Sequence, residues 1–249
     1  PRARLIVSET NLGFAKATNL GLSHARGELL LLLNPDTEIV GDALVQLAAF
    51  LRSRERAAAA GPSLRYADGT PQQAAFTFPT LWMSFLDFFP LHHRLLNSGL
   101  NGRYRAPTDG TPFRIGHPLG AAMLIKRSAI ERIGPLDEQF FIYCEEVDWC
   151  IRAQRAGLDV YQVPSAVVVH HGGQSTGQFR EAMLVELHRS RYQLFRKHYS
   201  PRFIAAHRLI TRCGLLKEGA HARWQKATGK MSSEQLRSRL RAYSAIWGM

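Results

Sequence analysis

The chain has 249 residues, 45% of them hydrophobic and 21% charged, which is ordinary globular composition with length enough for a sizeable core. No apolar run reaches about 18 residues, so no membrane-spanning helix is expected. The formal charge is +12, and it is concentrated: from Arg180 onward fifteen Lys and Arg face four acids. The three cysteines, Cys144, Cys150 and Cys213, are odd in number and lack C-x-x-C spacing. That argues against a disulfide framework or a zinc site and fits reduced thiols.

In chain order, residues 4–8 (Arg4-Leu5-Ile6-Val7-Ser8) read as a strand. The chain starts at Pro1, with no signal peptide visible, so it is expected to begin inside a fold. Phe14, Leu20 and Leu22 have helical spacing, and Gly27 closes that helix. Residues 28–34 (ELLLLLN) are apolar on both faces, which predicts a central parallel strand covered on both sides. Residues 41–61 predict a helix with Asp42 as N-cap. Residues 61–71 predict a strand running into an Asp-Gly turn. Between 71 and 117 the aromatic-rich sequence has no single period. A helix between Pro79 and Pro90 is expected, then irregular chain forming either a binding loop or an extra packed element. Ala121–Ile125 predicts a strand, Ser128–Ile133 a helix ended by Gly134, and 145–157 a further helix. Residues 159–173 predict two short strands about Pro164, and the basic region beyond Gly177 predicts helices. This alternation implies an α/β fold with a mainly parallel sheet, whose ligands gather at the carboxyl ends of strands.

Three stretches carry chemistry. In Asn34-Pro35-Asp36, Pro35 ends ladder pairing and Asp36 stands at a strand's carboxyl end. A carboxylate there can hold Mg²⁺ or Mn²⁺, or can simply begin a turn. In VVVHHGGQST, residues 167–176, His170 and His171 end an apolar strand, and Gly172 and Gly173 permit close backbone approach. In residues 137–157, Glu145, Asp148 and Arg152 share a helix face while Glu146 points about 100° away. These acids either favour the helix dipole or provide a general base, with Phe140, Phe141 and Tyr143 as an aromatic lead-in suited to a sugar.

Taken together and in this order, NLGFAKATNLGL, LLLLLNPDTE, LGAAMLIKRSAIERIGPLDEQFFIYCEEVDWCIRAQRAG and VVVHHGGQST resemble the family 2 glycosyltransferases of the GT-A fold, in particular the rhamnosyltransferase-like subgroup. The resemblance runs from residue 4 to about residue 200. It implies a Rossmann-like sheet and an inverting transfer of a sugar, with rhamnose as first candidate, from a nucleotide-diphosphate donor. The acceptor would be a saccharide or lipid-linked molecule of bacterial surface polysaccharide synthesis. It implies a Mg²⁺ or Mn²⁺ cofactor held by Asp36 and His170. Asn11, Gly13, Phe14 and Asn19 match the donor-side segment, and Gly120 and Ala121 match the pair lining the sugar site. Glu145-Glu146 matches an E-D pair whose second member is the base. Because Glu146 is one methylene longer than the family's Asp, Glu145 or Asp148 are alternative bases. The chain starts where the family has its third strand. A fragment of a longer protein is therefore expected, the alternative being a truncated, inactive homologue acting as a binding or scaffold protein. The expected organisation is a catalytic domain over 1–178 and a basic amphipathic extension over 179–249.

In that extension Arg and Lys alternate with Phe, Tyr, Leu, Ile and Trp, a pattern of helices that lie on membranes. A cytoplasmic protein held peripherally at the inner membrane face is the expectation. The competing interpretation is a helical extension packed on the catalytic domain. Nucleic acid is not expected as a partner, since no helix-turn-helix, zinc-finger or RNA-binding signature is present.

Overall fold

The computed structural model describes residues 3–172 and 180–249. They divide into two compact units, one of Pro1–Phe76 with Arg105–Gly172, the other of Thr77–Tyr104 with Gly173–Met249.

The first unit contains α1 (Gly13–His24), β1 (Leu29–Leu33), β2 (Thr37–Ile39), α2 (Ala43–Ser53), β3 (Ala57–Arg65), β4 (Pro71–Gln72) and β5 (Ala75–Phe76). After residue 105 come β6 (Phe113–Ile115), β7 (His117–Pro118), β8 (Ala122–Lys126), α5 (Arg127–Ile133), α6 (Glu145–Arg155) and β9 (Asp159–His170). Seven strands form one sheet in the order β1-β8-β3-β9-β2, with β4 added to β3 and β6 to β9. Only the β3–β9 ladder is parallel among the described strands of that sheet. The α/β class stands, with a sheet more mixed than strand-helix alternation implied. The physical reason is that β2, β4, β6 and β8 do not join their neighbours through helical crossovers, which parallel pairing requires.

The expected helix over 41–61 ends at Ser53, and Ala57–Ala60 instead begin the central strand β3. All four alanines are buried. Local helix preference yields here because small side chains let α2 approach the sheet, so packing overrides propensity. Leu47 and Leu51 of α2 pack with Ala57, Ala60, Leu124 and Val163. Asp42 does not cap α2; its Oδ1 accepts from Gln46 Nε2 at 2.6 Å.

Residues 3–8 form no strand, and Leu5 and Val7 are exposed. β-Branched residues supply only a preference; a strand exists through its ladder, and no described neighbour offers one. Nor is the leucine run central. Among the described residues β1 is paired only with β8, antiparallel, and the period of two buries Leu30 and Leu32 while leaving Leu33 exposed. β9 is one continuous strand rather than two. Its register against β3 shifts between the Pro62–Val163 and Ser63–Val167 pairs, so Pro164 falls where no ladder donor is needed.

The second unit contains α3 (Leu81–Phe88), α4 (His93–Leu96), a 3₁₀ turn at Gly99–Asn101, α7 (Arg180–His198), α8 (Pro201–Ala227) and α9 (Ser233–Trp247). The expected helices at 79–90 and in the basic region are therefore present. Thr80 caps α3, Ser200 with Pro201 opens α8, and Ser232 with Gln235 forms a capping box on α9. Grouping 77–104 with the C-terminal helices departs from the expected division near residue 178. Side-chain contacts explain it: Asp87 pairs with Arg191, Ser84 with His207, and Phe88 fills the space left by Gly214, where a Cβ would overlap its ring.

This helical unit buries two histidines. His207 bonds Ser84 Oγ through Nδ1 at 2.9 Å and packs on Phe195 and Tyr192; His188 lies against Phe88. Burial, then the Arg191 charge, lowers His207 to about 4 and His188 to about 3. Both are neutral in the folded state and gain protons on unfolding. Their contribution to stability is complete above the unfolded value of 6.5 and is lost as pH falls toward the folded values. The histidine contribution to stability is expected to fall between pH 7.5 and pH 5, with a slope of up to about 1.4 kcal/mol per pH unit per histidine. It is read as the difference in urea-unfolding free energy between wild type and a His188→Phe variant across that range; a difference that does not change with pH would refute the assignment.

Candidate functional site

The candidate site forms where the ends of β1 and β9 and the starts of β8 and α6 meet. β1 ends at Leu33, and Asn34 N–H donates to Ala121 O at 2.9 Å, tying the 34–36 turn to the start of β8. β2 then pairs antiparallel with β9, Thr37 opposite His170. His171 N–H donates to Asp36 O at 2.9 Å. This register places Asp36 Oδ1 3.5 Å from His170 Nε2. No hydrogen bond joins them, and among the described residues Asp36 Oδ1 is buried without a hydrogen-bond partner. His170 Nδ1 stands 3.1 Å from Gln72 Oε1, which can only accept. The tautomer that suits this contact carries its proton on Nδ1, which turns the Nε2 lone pair toward Asp36 Oδ1.

Two electron-pair donors facing each other with no proton between them suit a cation. A carboxylate oxygen and a neutral imidazole fit Mn²⁺ or Mg²⁺. Among the described residues no three His, Cys, Asp or Glu side chains cluster for a metal. Such an ion would then complete its coordination with water and substrate oxygens, as Mg²⁺ commonly does. Gln72 was not singled out in the sequence. The Asp-Gly turn signalled a hairpin, and the return strand β4 of that hairpin sets Gln72 opposite Leu64 on β3. His171 points elsewhere, pairing with Glu38 at 3.2 Å. Gly173 and the QST segment lie outside the described residues.

The residues expected on the donor side shape the loop in front of α6. Asn11 Oδ1 accepts from Gly13 N–H at 3.0 Å. Gly13 has φ +75°, and a Cβ there would overlap Phe141, so glycine is required twice over. Phe14 N–H donates to Phe141 O at 2.6 Å. The Asn19 amide is engaged in both directions: its Nδ2 donates to Leu136 O at 2.8 Å and its Oδ1 accepts from Leu136 N–H at 3.1 Å. Asn11, Gly13, Phe14 and Asn19 thus fix α1 and the 136–141 loop against each other.

That loop ends in two consecutive residues with positive φ, Tyr143 (70°) and Cys144 (68°), neither of them glycine. Such geometry costs on the order of 1–3 kcal/mol per residue and is held only where the surroundings impose it. It turns the chain into α6 so that Glu145 and Glu146 open the helix. Among the described residues their Oε2 atoms are both buried without hydrogen-bond partners. Gly120 lies over Glu146: a Cβ there would stand 3.6 Å from the Glu146 carboxyl carbon and Oε1. Asp148 is not in this position. It is fully buried, and its Oδ2 accepts from Arg152 Nε at 2.8 Å. Arg152 also donates to Ile133 O and Pro135 O, both at 2.7 Å, so that pair anchors the loop.

A helix N-terminus would lower a carboxyl pKa. Here desolvation wins. Burial raises Glu145, with repulsion from Glu146 adding to it, and burial raises Glu146 against the lowering effect of its backbone hydrogen bonds. The Glu145 contribution to stability is complete below the unfolded value of 4.5 and is lost as pH rises through the raised folded value. Glu145→Gln is expected to raise stability at pH 8 by on the order of 1–2 kcal/mol, the gain vanishing below pH 4.5. Thermal unfolding at the two pH values checks this; a variant less stable than wild type at pH 8 would contradict it.

The family model described as "Glycosyl transferase family 2" matches residues 1–134. An N-acetylglucosaminyl-diphospho-decaprenol L-rhamnosyltransferase of Mycobacterium tuberculosis is 30% identical over 210 residues, covering 77% of this chain and 66% of that protein. The dTDP-rhamnosyl transferase RfbF of Shigella flexneri is 22% identical over 178 residues, covering 70% of this chain and 54% of that protein. The chain thus spans 66% and 54% of the length of these two relatives. Among solved structures, GalNAc-T7 with UDP, GalNAc and Mn²⁺ superposes with TM-score 0.51 at 16% identity, over 76% of this chain and 38% of that one. That likeness carries the GT-A fold. With more than half of its residues matched, the chain belongs to glycosyl transferase family 2.

Proposed function

We propose that this chain carries the catalytic part of an inverting, metal-dependent glycosyltransferase of bacterial surface polysaccharide synthesis. It would move a sugar, rhamnose first among candidates, from a nucleotide-diphosphate donor to a saccharide or lipid-linked acceptor. The observation that carries this reading is the facing pair Asp36 Oδ1 and His170 Nε2, together with a buried Glu146 carboxyl whose Oε2 has no hydrogen-bond partner among the described residues. The rhamnosyltransferase names of the relatives support the sugar and the lipid-linked acceptor.

In the proposed reaction Glu146 takes the proton of the acceptor hydroxyl. The oxygen forms a bond to the anomeric carbon from the face opposite the leaving group. The bond from that carbon to the diphosphate oxygen breaks, and the electron pair leaves with the diphosphate. Asp36 and His170 would hold a divalent cation, which would supply neutralisation of the negative charge on that leaving group. Gln72 keeps His170 in the tautomer that presents Nε2. Gly120 leaves room beside the base, and Ala121 holds the Asp36 turn through Asn34. The raised pKa of Glu146 suits a base working near neutral pH, because a carboxylate of ordinary basicity pulls weakly on a hydroxyl proton.

Glu146→Gln is expected to lower kcat by about 10²- to 10⁴-fold with donor binding retained. Asp36→Ala should weaken Mn²⁺-dependent binding of the nucleoside diphosphate, read by calorimetry. Radiolabelled transfer from dTDP-rhamnose to a lipid-linked acceptor, using the chain in its full-length protein, measures the first. Normal turnover by Glu146→Gln would remove Glu146 from the role. Donor binding by wild type without any transfer would favour a binding or scaffold role.

A further inference from the structure

The outward face of α8 has features that neither packing nor the transfer site uses. At about 100° per residue, Leu209, Cys213, Leu216, Ala220 and Trp224 fall within a sector of about 80°. All five are exposed; Leu209 is 65%, Leu216 63% and Trp224 53% accessible. The opposite side of the same helix, with His207, Thr211, Gly214 and Leu215, is buried. α8 is therefore apolar on two sides, and only one of them is packed. Single exposed leucines are ordinary, but a stripe running about four turns is not.

Charge frames the stripe. Arg212 and Arg223 lie on one flank, Lys217 on the other, and Arg202 at its start; all four are exposed or nearly so. The single acid of the helix, Glu218, is half-buried and paired with Lys217 at 3.2 Å. At the far end Lys230 Nζ lies 5.2 Å from the Trp224 ring, and the Arg212 guanidinium lies 5.3 Å from the ring of Trp247, itself 41% exposed. Among the described residues no helix is long and apolar enough to cross a membrane.

We infer that the outward face of α8 is a membrane-docking surface that lies flat on a bilayer of anionic phospholipid. Leu209, Leu216 and the Trp224 ring enter the boundary between headgroups and acyl chains. Arg212 and Arg223 bury their methylene stems beside them and carry their charges to the lipid phosphates, while Lys217 stays bonded to Phe88 O and Glu218. Nucleic acid would engage the cations but leave the leucines in water, so a duplex satisfies half of the face. The inference extends the lipid-linked acceptor of the proposed function, since it would hold the enzyme at the surface where such an acceptor resides.

The test is co-sedimentation of the full chain with vesicles of phosphatidylcholine alone and of phosphatidylcholine with about 30 mol% phosphatidylglycerol, at moderate salt. Binding at least ten-fold tighter to the anionic vesicles is expected. Leu216→Glu with Trp224→Glu should lower it at least ten-fold. Arg212→Glu with Arg223→Glu should remove the preference for anionic lipid. These side chains are exposed, and far-UV circular dichroism verifies that the helices survive. Cys213 gives a second measurement, because Cys144 and Cys150 are buried. A polarity-sensitive dye on its thiol should shift to the blue when anionic vesicles are added.

Equal affinity for both vesicle types overturns the inference, as does sedimentation without a dye shift. So does duplex DNA binding as tight as vesicle binding and unchanged by the Leu216 and Trp224 substitutions. Vesicle binding needs no sugar donor, so it is read separately from transfer. Failure here leaves the transferase assay untouched, and failure there leaves the docking face standing.

Discussion

The antiparallel pairing of β2 with β9 is the constraint from which the site follows. Residues 36 and 170 are far apart in sequence, and nothing local brings them together. Once Thr37 stands opposite His170 and the His171 amide is bonded to Asp36 O, the two side chains have no freedom to separate. A slip of one residue would turn His170 to the other face of the sheet. Gln72 adds the last restraint, orienting the imidazole so that its free nitrogen looks toward the carboxylate.

The second half of the site depends on stored strain. Tyr143 and Cys144 hold left-handed conformations that a free chain would leave at once. The chain that leads into them is held by bonds from α1 and α6. Asn19 grips Leu136, Phe14 grips Phe141, and Arg152 grips Ile133 and Pro135. What reads along the chain as a donor-binding motif thus has a mechanical task as well, holding the loop that aims Glu145 and Glu146. The two carboxyls are then desolvated together, which raises their basicity and costs stability at neutral pH.

The two units oppose each other in their response to acid. The buried carboxyls of the first are most comfortable protonated, and the buried histidines of the second are most comfortable neutral. Lowering the pH therefore relieves one unit and stresses the other. The same unequal division appears in net charge, which is carried mainly by the helices after Arg180.

The sequence by itself determined the family, the α/β class, and most elements with a clear period or cap, α1, α3, α6 and the basic helices among them. It also singled out Asp36, His170, Glu145 and Glu146 as candidates, because motif residues at strand and helix ends are readable as local chemistry. Tertiary structure alone decided the rest. Four alanines in a row favour helix locally, and only the space beneath α2 made them the central strand. Five leucines looked buried on both faces, yet a strand with a period of two, paired on one side only among the described residues, leaves one of them exposed. The strand-like residues 4–8 have no ladder to join among the described residues. Asp148 and Glu146 are both acids in the first turn of one helix; which is paired with Arg152 and which keeps an oxygen without a partner depends on the loop that leads into the helix. Gln72 carries no motif at all. Its role exists only because a hairpin returns it beside His170, a distance set by the sheet and invisible along the chain.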